Sequence, residues 1–285
     1  MRLFTAAATI AAAALAAAAL SLPLHAQWTE DFISDFAKNA PRPSGVSAAE
    51  RADTLVPQAC PNSPFTYSVS YPRGLDGGGP ADKAAGAFAA RLFAQGRSTA
   101  EEYASTKASP ADCDDAWGTD KEEGESQAYF KVTSSPYRVS SGAYSVLYSS
   151  ALYTGGAHES FGYASQNILA DGTEITFARL FRDPAGSLPR LWEKVYKGFC
   201  GGGAAPSRPD LYGGMACTRS VPGAPGVLGP NAMSLDAAGH AVLTSLGLSF
   251  HLNPYEAYGF AAGPQFLDIP KEELLRIGAD PEIWR

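Results

Sequence analysis

The stretch Tyr144-Ser145-Val146-Leu147-Tyr148, running on into Tyr153-Thr154-Gly155-Gly156-Ala157-His158, decides the fold. Its first half is aromatic and β-prone, a strand. The paired glycines that follow permit positive φ and close approach of another group, which suits a sharp strand exit. His158 then stands at a strand end, where it holds a turn or touches a ligand. A second segment of this kind, Asn253-Pro254-Tyr255-Glu256-Ala257-Tyr258-Gly259, follows another strand.

Working outward, strand patterns dominate from Gln127 onward. They cover Ala128 to Ser134, Tyr137 to Val139, Gly142 to Tyr153, Phe161 to Leu169, Ala232 to Leu235, His240 to Thr244, Leu246 to Leu252 and Gln265 to Ile269. Upstream, Phe65-Thr66-Tyr67-Ser68-Val69-Ser70-Tyr71 alternates apolar with small polar residues, the pattern of a half-buried strand. Asp171-Gly172 is a turn signal after Ile168-Leu169.

Helical periodicity marks Ala81 to Gln95, with Ala84, Ala85, Phe88 and Leu92 on one stripe, and Leu188 to Phe199. Ser98 with Glu101 has the spacing of a capping box opening a second helix. Trp28 to Lys38 suits a short helix, followed by a linker to about Gln58. Phe177 to Phe181 suits a single helical turn, and Pro270 opens an acidic last helix. Strands clustered apart from helices predict an α+β fold with a mainly antiparallel sheet and packed helices. The expected organisation is a signal peptide over 1–26, a helix and linker over 27–59, and two α+β parts over 60–141 and 142–285.

The first residues look like a secretory signal: Arg2, an alanine-rich apolar run from Leu3 to Leu20, and a small-residue exit at Ala26. No later stretch is apolar enough to span a membrane. Past Ala26 the chain keeps 21 basic and 29 acidic residues, a net charge of −8. That balance argues against nucleic acid, whose affinity rests on cationic contacts to phosphate, and favours cationic partners. Four cysteines in an exported chain predict two disulfides with three possible connectivities, of which nearest-neighbour pairing, Cys60–Cys113 and Cys200–Cys217, is the one expected. No CxxC or CxxH spacing offers zinc as a rival.

Motifs for nucleophilic catalysis, phosphate binding or zinc hydrolysis are absent. His158-Glu159 resembles the first half of a zincin pair, but Gly162 stands where the second histidine would be. A metal assembled from His158, His240, His251 and Glu256 has no helical spacing to fix it. No cofactor is therefore expected. Asp112, Asp114, Asp115 and the 120–125 run read as a solvated acidic loop.

The chain resembles the RsiV-like extracellular domain of lysozyme-responsive anti-sigma factors. The matching pieces are Tyr153 to His158, Asp171-Gly172-Thr173-Glu174-Ile175-Thr176-Phe177 leading to Leu180-Phe181, Leu248-Ser249-Phe250 running into Asn253-Pro254-Tyr255-Glu256, and Ile269-Pro270. The part with Tyr67-Ser68-Val69-Ser70-Tyr71-Pro72 is similar to the N-terminal companion domain of PdaC-type peptidoglycan deacetylases. The resemblance covers roughly residues 60 to 277. It implies a periplasmic or secreted, non-catalytic binding protein of the cell envelope, with lysozyme or peptidoglycan as ligand. Its expected contact residues are Tyr153, Thr154, Gly155, Gly156, His158, Tyr255, Glu256 and Tyr258. With only Met1 and Arg2 before the apolar run, no sigma-factor partner is expected. The alternative is an envelope-polymer hydrolase or metalloenzyme using His158 and Glu256.

Overall fold

The structure, a computed structural model, describes residues 33–113, 128–155, 159–200, 241–252 and 265–285. Strands β1 (Ser47–Leu55), β2 (Phe65–Arg73), β3 (Ala128–Arg138), β4 (Ala143–Tyr153) and β5 (Ser160–Leu169) form one sheet in that order. All neighbours are antiparallel except β2 and β3, which run parallel. A parallel pair needs a long crossover, and helix α2 (Pro80–Thr106) supplies it. A second, antiparallel sheet joins β6 (Ala241–Thr244), β7 (Gly247–Leu252) and β8 (Gln265–Pro270). The expected α+β class with a mainly antiparallel sheet is what the chain adopts.

Alternation along β2 to β5 sorts the first sheet into two faces. Phe65, Tyr67, Val69, Phe130, Val132, Val146, Tyr148 and Ile168 pack against Ala81, Ala85, Phe88 and Ala89 of α2. On the other face Tyr137, Leu147 and Tyr163 meet Val242 of β6 and Ala37 of the short helix α1 (Asp35–Asn39). A third cluster lies under the second sheet. There α3 (Phe177–Leu180), α4 (Pro184–Cys200) and α5 (Lys271–Arg276) bury Phe177, Leu180, Leu191 and Val195 against Leu243, Phe250 and Ile269. Each such side chain gains about 1.5–3 kcal/mol on leaving water.

Two polar connections tie the layers together. Asn167 Oδ1 accepts from Ser145 Oγ at 2.6 Å and from the Leu243 N–H at 2.8 Å, while its Nδ2 donates to the Ala241 carbonyl at 2.9 Å. Ser34 caps α1 by accepting from the Ala37 N–H at 3.1 Å, and Ser249 on β7 donates to the same hydroxyl at 2.5 Å. After β5, Asp171 accepts from the Thr173 N–H at 2.8 Å. The Thr173 side-chain hydroxyl, and after it this backbone N–H, hold the Asp171 carboxyl below its ordinary range. Gly172 takes a φ of +82°, and a Cβ there would lie 2.9 Å from the Pro80 carbonyl oxygen. The turn presses on the start of α2, so glycine is required on both counts.

Several expectations change. The stretch read as linker is in part strand β1, whose residues are almost all exposed. An edge strand exposed on both faces carries no alternation to read. The two expected helices are one, α2 running unbroken through Ser98, so Ser98 caps nothing. β3 continues through Pro136, where a break was expected. The Arg138 N–H donates to Pro41 at 3.0 Å, outside the sheet ladder. By the two-residue alternation of a strand, Pro136's missing donor falls on that same outer side, so no ladder bond is lost. The Cys60–Cys113 disulfide forms as expected. It is the one disulfide among the described residues, where two were expected; Cys217, the expected partner of Cys200, lies outside them, as do the strand at Ala232 to Leu235 and His240. The single helical turn after Thr176 and the acidic last helix are both in place.

Candidate functional site

Of the contact residues expected from sequence, Tyr153 closes β4, and Thr154 and Gly155 follow it, with Gly155 at a φ of +96°. The positive φ expected of this corner is therefore present. Gly156, His158, Tyr255, Glu256 and Tyr258 lie outside the described residues. The strands flanking the two segments meet, since Tyr163 of β5 and His251 of β7 stand with ring centroids 5.5 Å apart. His251 itself is fully buried, accepting from the Ser34 N–H at 3.5 Å. It belongs to the packing between layers; the other candidate ligands, His158, His240 and Glu256, lie outside the described residues. Among the described residues, no cluster of three metal-ligating side chains exists.

Tyr153 is one corner of a larger surface. The pairing register places Thr54, Thr66, Tyr129 and Tyr153 in one row across β1 to β4. The next row is Ala52, Ser68, Lys131 and Ala151; just past the last β2–β3 pair, Val69↔Val132, the pairs Glu50–Ser70 and Thr133–Ser149 continue the face as a third row. All twelve sit opposite the face that α2 covers, and all are exposed or half-exposed. Neighbouring strands lie about 4.8 Å apart and rows about 7 Å apart, so the face is a regular grid. Tyr129 and Tyr153 are direct cross-strand partners, with centroids 6.1 Å apart. Six Ser or Thr hydroxyls share the surface with those two tyrosines, and only Glu50 and Lys131 are charged.

The second sheet ends this open surface at β5, where Tyr163 of the third row is buried against His251 and Phe266. Burial raises the Tyr163 hydroxyl well above its ordinary range, in keeping with a packing role. Sequence reading found Tyr153 alone. The rest of the grid is a product of register. Its signal was the Ser/Thr alternation of β2, taken only as the outward half of a strand.

The fold has known counterparts. It is similar to the crystal structure of a DUF3298 family protein from Pseudomonas aeruginosa PAO1, with a TM-score of 0.53 over 85% of this chain and 98% of that one, at 13% identity. The chain shares the fold of a DUF3298 protein. A second crystal structure, of a DUF3298 member from Bacteroides fragilis NCTC 9343, aligns with a TM-score of 0.48 and 15% identity over 85% of this chain and 98% of that one. No protein-family model matches the sequence, and no curated protein does. Neither DUF3298 structure is described as an RsiV ectodomain or a PdaC companion domain. Those finer resemblances rest on the sequence motifs.

Proposed function

We propose that this is an exported, non-catalytic binding protein of the cell envelope, periplasmic or secreted, whose ligand is the glycan of peptidoglycan. The observation that supports this reading is the flat grid of hydroxyls and paired tyrosines on β1 to β4. Sugar rings present apolar C–H faces that rest on aromatic rings, and a hydroxyl both donates and accepts hydrogen bonds. A nearly uncharged, extended face suits a polymer better than a compact small molecule, whose sites are concave. The envelope assignment draws on the signal-like N-terminus and the disulfide, which forms in oxidising compartments.

Co-sedimentation with insoluble peptidoglycan tests the reading. Tyr129→Ala and Tyr153→Ala are each expected to weaken pelleting by about five- to thirty-fold, the equivalent of 1–2 kcal/mol of lost ring contact. Undiminished pelleting of the double variant, or no pelleting of the parent protein, would sink it. Lysozyme as ligand is a second reading, supported by the net charge of −8 past Ala26, which attracts a cationic protein at low salt. Titration with c-type lysozyme at low and moderate salt decides it, and no binding at micromolar concentration in either condition removes it.

A further inference from the structure

At the opposite end of the first sheet, Arg138 and Tyr144 are direct cross-strand partners at the close of β3 and the start of β4. Side chains so paired share one face with Cβ atoms about 5 Å apart. Together with Gly45, Gly74, Leu75 and Asp76 they line a groove of about 470 Å³. Its walls are built, not loose. Asp82 accepts from the Gly74 and Leu75 N–H groups at 2.8 and 2.9 Å, which fixes the loop between β2 and α2. A Cβ on Gly74 would stand 2.9 Å from the Gly45 carbonyl oxygen, so the two loops touch there.

Charge sharpens the picture. Asp76 is occupied by the start of α2, its two oxygens accepting from the Gly79 and Ala81 N–H groups at 2.7 Å each. Arg138 donates through Nε to the Ser140 carbonyl at 3.3 Å, which orients the guanidinium. Among the described residues its two Nη groups have no ion-pair partner, and the Tyr144 hydroxyl has no hydrogen bond. In a chain of net charge −7, an oriented arginine with no ion-pair partner among the described residues and a tyrosine on the same groove wall offer donors to an anion, while the one carboxylate in the lining, Asp76, is engaged by backbone N–H groups. A guanidinium fork matches a planar carboxylate in two parallel bonds.

We infer that this groove binds the carboxylate of a small ligand, with the Arg138 Nη groups and the Tyr144 hydroxyl as donors. The carboxylate has two candidate sources, the C-terminus of a short peptide or a sugar acid. The site is independent of the glycan-binding reading. It lies on the other face of the sheet, and nine residues of β4 separate Tyr144 from Tyr153, about 30 Å along the strand.

The test titrates the ¹⁵N-labelled purified protein with N-acetyl-alanyl-alanine, with glucuronate, and with the methyl ester of each. Saturable shifts at the Arg138 Nε and at the Gly45 and Leu75 amides are expected with at least one acid, and its ester should bind at least about ten-fold more weakly. Response to the dipeptide alone identifies a peptide carboxylate, and response to glucuronate alone a sugar acid. Arg138→Gln is expected to weaken binding by about ten-fold or more and Tyr144→Phe by about three- to ten-fold. Binding should persist in the Tyr129→Ala, Tyr153→Ala double variant, which separates the fate of this site from that of the sheet face. The inference is overturned if neither acid moves groove resonances at about 10 mM, a concentration that detects even millimolar affinity. Equal binding of acid and ester, or undiminished binding by Arg138→Gln and Tyr144→Phe, would overturn it as well.

Discussion

Asn167, 1% exposed, satisfies both ends of its amide in the seam between the two sheets. Truncation to alanine leaves the Leu243 N–H, the Ala241 carbonyl and the Ser145 hydroxyl without that partner in a dry interior. Stranding buried polar groups costs more than the net worth of the bonds themselves. Asn167→Ala should therefore lose about 2–4 kcal/mol in urea unfolding; a change below about 0.5 kcal/mol, the ordinary surface effect, would contradict this role. Two tyrosines make a pH prediction at the same scale. Burial raises the hydroxyls of Tyr148 and Tyr163 above the free value of 10.0. The folded state thus holds a proton that the unfolded chain releases first. Their contribution is fully present below pH 10 and is lost as pH rises beyond it, by up to about 1.4 kcal/mol per pH unit for each group. Urea unfolding measured from pH 8 to 11 should show a level stretch and then a fall, made shallower by Tyr148→Phe.

Helix α2 carries two internal glycines whose replacement should act in opposite directions. A Cβ on Gly86 meets only Tyr71 Cε2, at an ordinary 3.9 Å. Alanine there removes the conformational penalty of glycine in a helix without a clash, a gain of about 0.4–1 kcal/mol. A Cβ on Gly96 would lie 2.6 Å from Phe130 Cδ1 and 3.3 Å from Tyr67 Cβ. Overpacking of that kind costs about 1–3 kcal/mol, more than the helical gain returns. Gly86→Ala should raise the thermal midpoint and Gly96→Ala lower it; the same sign for both would show that α2 does not press on β2 and β3 at Gly96. Strand β1 shows a different device. Its outer edge is unpaired among the described residues, and Glu50, Arg51 and Asp53 stand along it. Charges on an edge discourage pairing with another chain.

Across the whole molecule, one covalent bond joins the loop between β1 and β2 to the segment after α2. Cys60 and Cys113 are 53 residues apart, and the ring they close takes in β2 and the crossover helix. Closing a loop of that length removes about 4 kcal/mol of unfolded-chain entropy in the chain-entropy model. Reduction should lower stability by an amount of that order, read from urea unfolding with and without reductant. An unchanged midpoint would mean that packing of α2 on β2 already restricts the unfolded chain. The layers leave the protein with two separate surfaces, the hydroxyl grid at one end of the first sheet and the Arg138 groove at the other. β3 and β4 are joined by the turn at 139–142 and held by ten paired positions from Tyr129↔Tyr153 to Arg138↔Tyr144.

The sequence by itself determined the α+β class, the core strands and the amphipathic helix α4, because each leaves a local trace in periodicity; four cysteines in an exported chain pointed to disulfides, but which cysteines pair, as Cys60 does with Cys113, is decided by the fold. Tyr153 was legible for the same reason, standing before a glycine turn. Strand β1, the unbroken α2 and the passage of β3 through Pro136 were not legible. An edge strand has no buried face to reveal it, Ser98 resembles a cap only in spacing, and the tolerance of Pro136 depends on which side of β3 is unpaired. Both candidate sites belong to the tertiary structure. Thr54, Thr66, Tyr129 and Tyr153 are about a hundred residues apart at the extremes, and only strand register brings them into a row. Arg138 faces Tyr144 because two strands pair, and the groove around them exists only where the loops at Gly45 and Gly74 touch.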